Sequence, residues 1–113
     1  MYISDHGENL FDDDRHLSQH AYPEPSKYMA HIPFFVWYSD ELNKIVPDKI
    51  THLNSNKNKK VIAQNVFFTF TELCGLKIPG VDSTLSLCNS NFKEIPRKIL
   101  GGEFRVYNSD SLK

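Results

Sequence analysis

The first ten residues, MYISDHGENL, place a carboxylate and an imidazole side by side at Asp5 and His6. Neighbouring residues of an extended strand point to opposite faces, so both side chains reach one ion only where a strand ends and the chain turns. Gly7 follows directly and allows such a turn. An oxygen ligand and a nitrogen ligand suit zinc, and also manganese. The pair therefore predicts half of a divalent-metal site, with a helix-capping carboxylate beside a surface histidine as the alternative.

Further donor groups follow shortly after this pair. The nearest imidazoles belong to His16, His20 and His31. Glu8 is expected to orient His6 by accepting a hydrogen bond from the ring nitrogen that does not bind the metal. An ordinary surface glutamate is an equally good explanation of this residue. His31 adjoins an apolar run, so a hydrogen-bonded core histidine and a metal ligand are both consistent with its position.

The elements that position these residues are short. Residues 2–4 have the composition of the end of a buried strand, and residues 8–27 form a polar loop of a length that is usually functional or disordered. The three aspartates at 12–14 are further oxygen donors, but a solvated loop explains them more simply. Residues 31–38, HIPFFVWY, are apolar on both faces and predict a buried strand with Pro33 at its start.

Helices and a hairpin are predicted in the rest of the chain. Ser39 or Asp40 is placed to cap a short helix. Apolar residues recur at three- and four-residue spacing within 61–74 and predict a second, longer helix, with a strand over the β-prone residues 66–70 as the alternative. Residues 98–107 predict a β-hairpin whose two-residue turn is the Gly-Gly pair at 101–102.

Composition excludes several classes of function. The 113 residues make at most one domain, and 13 Lys and Arg balance 14 Asp and Glu for a net charge of −1, which is not basic enough to indicate nucleic-acid binding. No stretch approaches the roughly 18 apolar residues of a membrane span. Cys74 and Cys88 match no metal-binding spacing and are compatible with one disulfide or two free thiols; free thiols are expected, with Cys74 acting as a small apolar residue of the second helix.

Three motifs, taken in order, resemble the C-terminal part of the phosphoethanolamine transferases, which are membrane-anchored members of the sulfatase/alkaline phosphatase superfamily. The motifs are SDHGE at 4–8, HIPFFVW at 31–37 and LCGLKIPG at 73–80. Their combined order is more specific than any one of them, and the resemblance covers roughly residues 2 to 89. Residues 90–113 resemble the end of the family's sequence only loosely.

The resemblance implies an α/β fold, as the C-terminal fragment of an α/β/α sulfatase-like sandwich with a terminal β-hairpin and a metal site at strand carboxyl ends. Residues 1–113 are then a partial catalytic domain without its nucleophile region. Asp5 and His6 are implied to be zinc ligands, with manganese as the other metal. His16 is implied to contact the phosphoryl group and to act in catalysis. His20 is the second candidate for substrate binding, since the loop departs from the family's commoner sequence.

The resemblance also implies a reaction and a place in the cell. The full-length enzyme would move phosphoethanolamine from phosphatidylethanolamine to lipid A or core oligosaccharide, at the periplasmic face of the inner membrane. The membrane would be reached only through N-terminal helices missing from this chain, and a threonine nucleophile and the other zinc ligands would also lie upstream. The chain alone is expected to be inactive, to bind zinc weakly and to self-associate through exposed strand edges.

Two other functions are compatible with the same residues. A fragment of a sulfatase or phosphodiesterase would share the superfamily but hydrolyse its substrate, and the upstream nucleophile would distinguish it from a transferase. A small metal-binding interaction module would instead hold zinc through Asp5, His6 and two of His16, His20 and His31. That module predicts stoichiometric zinc in the isolated chain.

Overall fold

The computed structural model describes all residues, 1–113, and gives a mixed α/β chain. Its six short strands are β1 (Tyr2–Ile3), β2 (Asn9–Leu10), β3 (Ser18–Gln19), β4 (Phe34–Phe35), β5 (Lys98–Leu100) and β6 (Val106–Asn108). Its four α-helices are α1 (Lys27–Ala30), α2 (Asp40–Ile45), α3 (Pro47–Asn56) and α4 (Ala63–Leu73), with short 3-10 helices at Ser83–Leu85 and Ser109–Ser111. The chain divides into two compact units, Met1–Val36 with Pro96–Lys113, and Trp37–Ile95.

The first unit contains all six strands, joined as three antiparallel pairs: β1 with β4, β2 with β3, and β5 with β6. The polar stretch 8–27, predicted as a loop, therefore contains a β-hairpin made of β2 and β3. Helix α1 follows this hairpin and begins after Ser26, whose Oγ accepts a hydrogen bond from the Met29 N–H at 3.2 Å. Ser26 is fully buried, so the cap also anchors the start of the helix.

The prediction of a buried strand over residues 31–38 is wrong in extent and in burial. Only Phe34 and Phe35 pair with β1, in the register Tyr2↔Phe35. Phe35 is 59% exposed and stacks on Tyr2 with ring centroids 4.9 Å apart, and Trp37 is 80% exposed. A two-stranded ribbon covers neither of its faces by itself, so its large side chains remain in contact with solvent.

The terminal hairpin is confirmed, but its predicted two-residue turn is wrong. Leu100 pairs with Val106, so the loop runs from Gly101 to Arg105. The N–H of Gly101 donates to the Arg105 carbonyl at 2.9 Å, and Phe104 takes the left-handed conformation with a φ of 60°. Glycine is needed at position 101 for close packing, because a Cβ there would lie 2.2 Å from the Pro23 carbonyl oxygen.

The second unit consists of α2, α3, α4 and the segment that follows α4. Ser39 caps α2, as predicted, by accepting a hydrogen bond from the Leu42 N–H at 3.2 Å. The long helix predicted within 61–74 is confirmed as α4, and it ends before Gly75, whose φ is 71°. None of the helices combines the length and the apolar character needed to cross a membrane.

The side of α4 that faces the interior is polar, contrary to the apolar pattern that predicted it. Asn65 and Thr69 are 1% and 0% exposed, whereas Phe67 and Phe70 are about half exposed. The Asn65 amide donates to the Leu85 carbonyl at 2.7 Å, and the Thr69 hydroxyl accepts from the Leu87 N–H at 3.0 Å. These bonds satisfy backbone groups of a segment without regular structure, which explains why polar residues occupy the buried face.

The prediction of free thiols is confirmed, but Cys74 does not behave as the apolar helix residue that was expected. Cys74 is exposed, whereas Cys88 is buried, as are Ile50 and Leu53 of the same unit. Cys74 follows the last residue of α4, where the chain turns at Gly75, so its side chain lies outside the packed face of the helix.

Candidate metal centre

The turn after β1 is held against the segment that contains α1. The N–H of Gly7 donates to the Met29 carbonyl at 3.0 Å, and the N–H of Ser4 donates to the Pro33 carbonyl at 3.2 Å. A Cβ on Gly7 would lie 2.0 Å from the carbonyl oxygen of Tyr28. Position 7 therefore requires glycine because two backbone segments approach closely there, which is a different reason from the turn conformation expected from sequence.

Asp5 and His6 present their side chains to the same region of space. The Nδ1 of His6 lies 3.0 Å from the Gly7 carbonyl oxygen. A carbonyl oxygen only accepts, so this bond places the ring proton on Nδ1 and leaves the lone pair on Nε2. That Nε2 lies 3.8 Å from Asp5 Oδ2. The other carboxylate oxygen of Asp5 accepts a hydrogen bond from the His6 N–H at 3.1 Å, which fixes the carboxylate relative to the ring.

These two donors fit a shared zinc ion. Ligand bonds of about 2.0–2.1 Å in tetrahedral geometry place two ligand atoms about 3.4 Å apart. The observed 3.8 Å between His6 Nε2 and Asp5 Oδ2 needs a shift of only a few tenths of an ångström. The Asp5 side chain is 88% exposed and that of His6 is 40% exposed, so the remaining coordination positions are open. The distance is compatible with the half-site predicted from sequence, and the role of the two residues as metal ligands stays a prediction.

The β2–β3 hairpin brings two further donors to His6. Asn9 pairs with Gln19 in the antiparallel hairpin. The next residues along the two strands, Glu8 and His20, therefore lie opposite each other. His20 Nδ1 lies 2.7 Å from Glu8 Oε1, which is a hydrogen bond. The same Oε1 lies 3.6 Å from His6 Nδ1, and the two imidazole rings have centroids 3.9 Å apart and are tilted by 33°.

A buried polar contact fixes this hairpin. The Asn9 side chain is 1% exposed; its amide donates to the Gln19 carbonyl at 2.7 Å, and its oxygen accepts a short hydrogen bond from the Ser26 hydroxyl. Ser26 is also the cap of α1. The hairpin that carries Glu8 and His20 is thus hydrogen-bonded to the start of α1. Gly7 is bonded to the same helix through the Met29 carbonyl.

His16 lies in the turn of the same hairpin. Its backbone is left-handed, with a φ of 49°, and its N–H donates to the Asp13 carbonyl at 3.0 Å, while its exposed ring forms no hydrogen bond within the chain. The Asp13 carboxylate accepts hydrogen bonds from Arg15, and these lower its pKa. The structure therefore brings His20, and not His16, into contact with His6 and Glu8. His31 is exposed at the end of α1 and joins neither group.

Sequence reasoning missed the pairing of Glu8 with His20 because it treated residues 8–27 as a loop. A local signal was available in the aspartates. Asp13 Oδ1 accepts from the Arg15 N–H at 3.0 Å, which is the side-chain turn that aspartate favours, and Asp12 Oδ2 accepts from the N–H of Leu10, two residues earlier, at 2.7 Å. The turn residues favour a reversal of the chain, but the strands β2 (Asn9–Leu10) and β3 (Ser18–Gln19) lack the β-branched and aromatic residues that would have indicated a hairpin.

The second unit holds a cavity of about 350 Å³ that no motif indicated. Phe68, Leu76 and Ile78 give it apolar walls, and Lys49 and Glu72 give it charged groups. The Lys49 ammonium donates to the Glu72 backbone carbonyl at 2.5 Å, and the buried Oε2 of Glu72 has no hydrogen-bond partner within the chain. None of the residues that line the cavity belongs to the candidate metal site.

Comparisons with known proteins place the chain in a family. The profile of the family described as Sulfatase matches residues 1–76. Phosphoethanolamine transferase CptA of Salmonella typhimurium is 31% identical over 100 residues, and phosphoethanolamine transferase EptC of Escherichia coli K12 is 32% identical over 100 residues; each match covers 88% of this chain and 17% of the relative. The chain therefore spans about a sixth of the length of these curated relatives.

A solved structure is also similar. The crystal structure of the C-terminal periplasmic domain of EcEptC from Escherichia coli matches with a TM-score of 0.83 and 30% identity, covering 98% of this chain and 31% of that chain. This likeness confirms the sulfatase-like α/β fold expected from the sequence, including its C-terminal hairpin. It also confirms the resemblance to phosphoethanolamine transferases that the three motifs indicated.

Proposed function

This chain belongs to the sulfatase family, and we propose that it is the C-terminal, metal-holding portion of a zinc-dependent phosphoethanolamine transferase. The observation that carries the proposal is the convergence of Asp5 and His6 at the end of β1, with their donor atoms 3.8 Å apart. The identities of 31% and 32% to two phosphoethanolamine transferases support transfer over the hydrolysis that other members of the superfamily perform. The reaction concerns the whole protein, of which this chain supplies one part.

In this proposal Asp5 Oδ2 and His6 Nε2 hold zinc, and the remaining ligands come from polypeptide outside this chain. When bound, zinc supplies a Lewis acid that neutralises charge on phosphoryl oxygens and makes a nearby hydroxyl a better nucleophile. The chain's own residues prepare that position. The Gly7 carbonyl accepts a hydrogen bond from the Nδ1–H of His6 and so keeps Nε2 available, and the Ser4 hydroxyl fixes the turn by donating to the His6 carbonyl at 2.8 Å.

The substrates follow from the same family relationship. Phosphatidylethanolamine is the proposed donor, and a sugar hydroxyl of lipid A or core oligosaccharide is the proposed acceptor. A threonine outside this chain is the proposed nucleophile, so the isolated chain is proposed to be inactive. The proposed place is the periplasmic face of the inner membrane, which the likeness to a periplasmic domain supports.

Two histidines are candidates for the contact with the phosphoryl group. His16 is exposed on a hairpin turn and has a free ring, so it can reach a ligand without breaking an internal bond. His20 lies beside His6 and is hydrogen-bonded to Glu8, so Glu8 orients His20 more directly than it orients His6. We assign the phosphoryl contact to His16, and His20 remains the second candidate for that contact.

A chimera tests the proposal. The segment of E. coli EptC that matches this chain is replaced by residues 1–113, and phosphoethanolamine addition to the cell's lipopolysaccharide is measured by mass spectrometry in a strain without EptC. We expect transfer by the chimera and a loss of at least about 100-fold in Asp5→Asn and His6→Ala. Asp48→Asn, at an exposed carboxylate of α3, is the matched control and keeps the activity of the chimera. A folded chimera that is inactive, or whose transfer survives Asp5→Asn, overturns the proposal.

A further inference from the structure

We infer that His6, Glu8 and His20 form a three-ligand site for a divalent transition metal that lies entirely within this chain. The site shares His6 with the zinc pair proposed above but needs no residue from outside the chain. Two imidazole nitrogens and one carboxylate oxygen suit zinc, cobalt and nickel, and three protein ligands leave one or more positions for water or a substrate oxygen.

The donor atoms are already close to ligand distances. One ligand atom from each residue can be chosen so that all three lie within 4.8 Å of one another. Glu8 Oε1 lies 3.6 Å from His6 Nδ1, close to the separation of about 3.4 Å between two ligands of a tetrahedral ion. The contact of 2.7 Å between Glu8 and His20 is a hydrogen bond, and it lengthens by about 0.7 Å when an ion takes the place of the proton.

The backbone holds these donors in place before any ion arrives. Glu8 and His20 flank the Asn9↔Gln19 pair of the hairpin, and the buried Asn9 side chain bonds both to Gln19 and to Ser26. His6 is positioned separately, by the bond of the Gly7 N–H to the α1 segment. Because both anchors attach the donors to the α1 segment, metal binding orders few additional backbone groups, which favours affinity.

The two ring nitrogens of His6 face two different carboxylates. Nε2 lies 3.8 Å from Asp5, and Nδ1 lies 3.6 Å from Glu8. Ligation through Nδ1 gives up the bond to the Gly7 carbonyl and moves the ring proton to Nε2, where Asp5 accepts it and orients the ring in the manner of a carboxylate–histidine–metal group. Ligation through Nε2 gives the zinc pair proposed for the transferase. The isolated chain lacks partners for the second arrangement and uses the first.

This inference changes one expectation from sequence. With only Asp5 and His6 as ligands, the chain alone was expected to bind zinc weakly; with Glu8 and His20 added, it binds one ion with micromolar affinity or better. The functional consequence is a metal site on the chain's own surface, which competes with the transferase position for the His6 ring.

Titration with cobalt tests the inference, since tetrahedral and five-coordinate Co²⁺ absorb visible light. The 113-residue chain is titrated with CoCl₂, and competition with ZnCl₂ gives the zinc affinity. We expect one ion per chain, and a loss of affinity of at least tenfold in His20→Ala and in Glu8→Gln. His31→Ala, at an exposed imidazole on the end of α1, is the matched control and binds as the parent does. Circular dichroism melting verifies that each variant is folded.

The variant Asp5→Asn separates this inference from the proposed function. If His20→Ala and Glu8→Gln weaken binding and Asp5→Asn has a smaller effect, the inference holds. If Asp5→Asn abolishes cobalt binding and folded His20→Ala binds as the His31→Ala control does, the inference is wrong, whereas the zinc pair of the transferase stands. Nitrogen-15 NMR of His6 provides a second readout, because ligation at Nδ1 shifts that nitrogen and ligation at Nε2 shifts the other.

Discussion

Replacement of Gly7 by alanine is the most informative single change, because the structure gives the size of the clash. The added Cβ would lie 2.0 Å from the Tyr28 carbonyl oxygen, 3.1 Å from the Tyr28 carbonyl carbon and 3.3 Å from the Met29 Cα. Non-bonded carbon atoms settle about 3.5–4.0 Å apart, and a carbon–oxygen pair is only slightly closer. The turn and the α1 segment therefore have to separate by more than about 1 Å.

That separation has a calculable cost. It breaks the 3.0 Å hydrogen bond from the Gly7 N–H to the Met29 carbonyl, which contributes about 0.5–1.5 kcal/mol. Overpacking of a tight contact adds about 1–3 kcal/mol. We expect Gly7→Ala to lower the free energy of unfolding by about 2–4 kcal/mol, which corresponds to a melting temperature lower by roughly 10 °C or more in a chain of this size.

Thermal unfolding followed by circular dichroism, together with the cobalt titration, measures the effect. Gly80→Ala is the control, since no atom lies within 4 Å of its added Cβ and only its left-handed φ of 77° opposes alanine, at about 1–2 kcal/mol. The control keeps the metal affinity of the parent, whereas Gly7→Ala loses it. The reasoning is refuted if Gly7→Ala unfolds no earlier than the control and binds cobalt as tightly as the parent.

Three further predictions concern buried groups. Asn9→Ala leaves partners of the buried amide unsatisfied and lowers stability by about 1–3 kcal/mol in urea unfolding, with weaker cobalt binding. Thr69→Val leaves the buried Leu87 N–H without a hydrogen-bond acceptor and lowers the free energy of unfolding by about 1–3 kcal/mol. Thr69→Ser keeps the hydroxyl and most of the stability of the parent. Equal stability of the valine and serine variants would contradict the role of the Thr69 hydroxyl. Burial and the nearby Glu72 charge raise the pKa of the Cys88 thiol from 9.0 to about 11. At pH 8 a thiol reagent therefore labels Cys74 and leaves Cys88 unlabelled until the chain unfolds, and the stability that the neutral Cys88 thiol contributes is lost between pH 9 and 11.

The parts of the fold that the sequence predicted depend on local chemistry. Ser39 caps a helix because its hydroxyl satisfies a free N–H of the first turn, and α4 ends at a glycine because the left-handed conformation there favours glycine. Asp5 and His6 were predicted as a pair because a strand end turns both side chains to one side. These rules act within a few residues, so one sequence suffices to apply them.

The parts that the sequence did not predict depend on contacts between distant residues. The burial of Asn65 and Thr69 follows from the backbone groups of residues 85–87 that they satisfy, and no periodicity in α4 reveals those partners. The approach of His20 to His6 follows from the register of the β2–β3 hairpin. A shift of that register by one residue would point the His20 side chain to the other face, which explains why composition alone could not choose between His16 and His20.

Anomalous diffraction at the zinc edge, from crystals of the 113-residue chain grown with zinc, tests most directly whether the turn at residues 5–8 holds a metal. The account predicts a peak about 2.0–2.1 Å from a ring nitrogen of His6, with Glu8 and His20 completing the coordination. A fully ordered turn in saturating zinc, with the His6 ring still bonded to the Gly7 carbonyl and no anomalous peak beside it, would contradict the account.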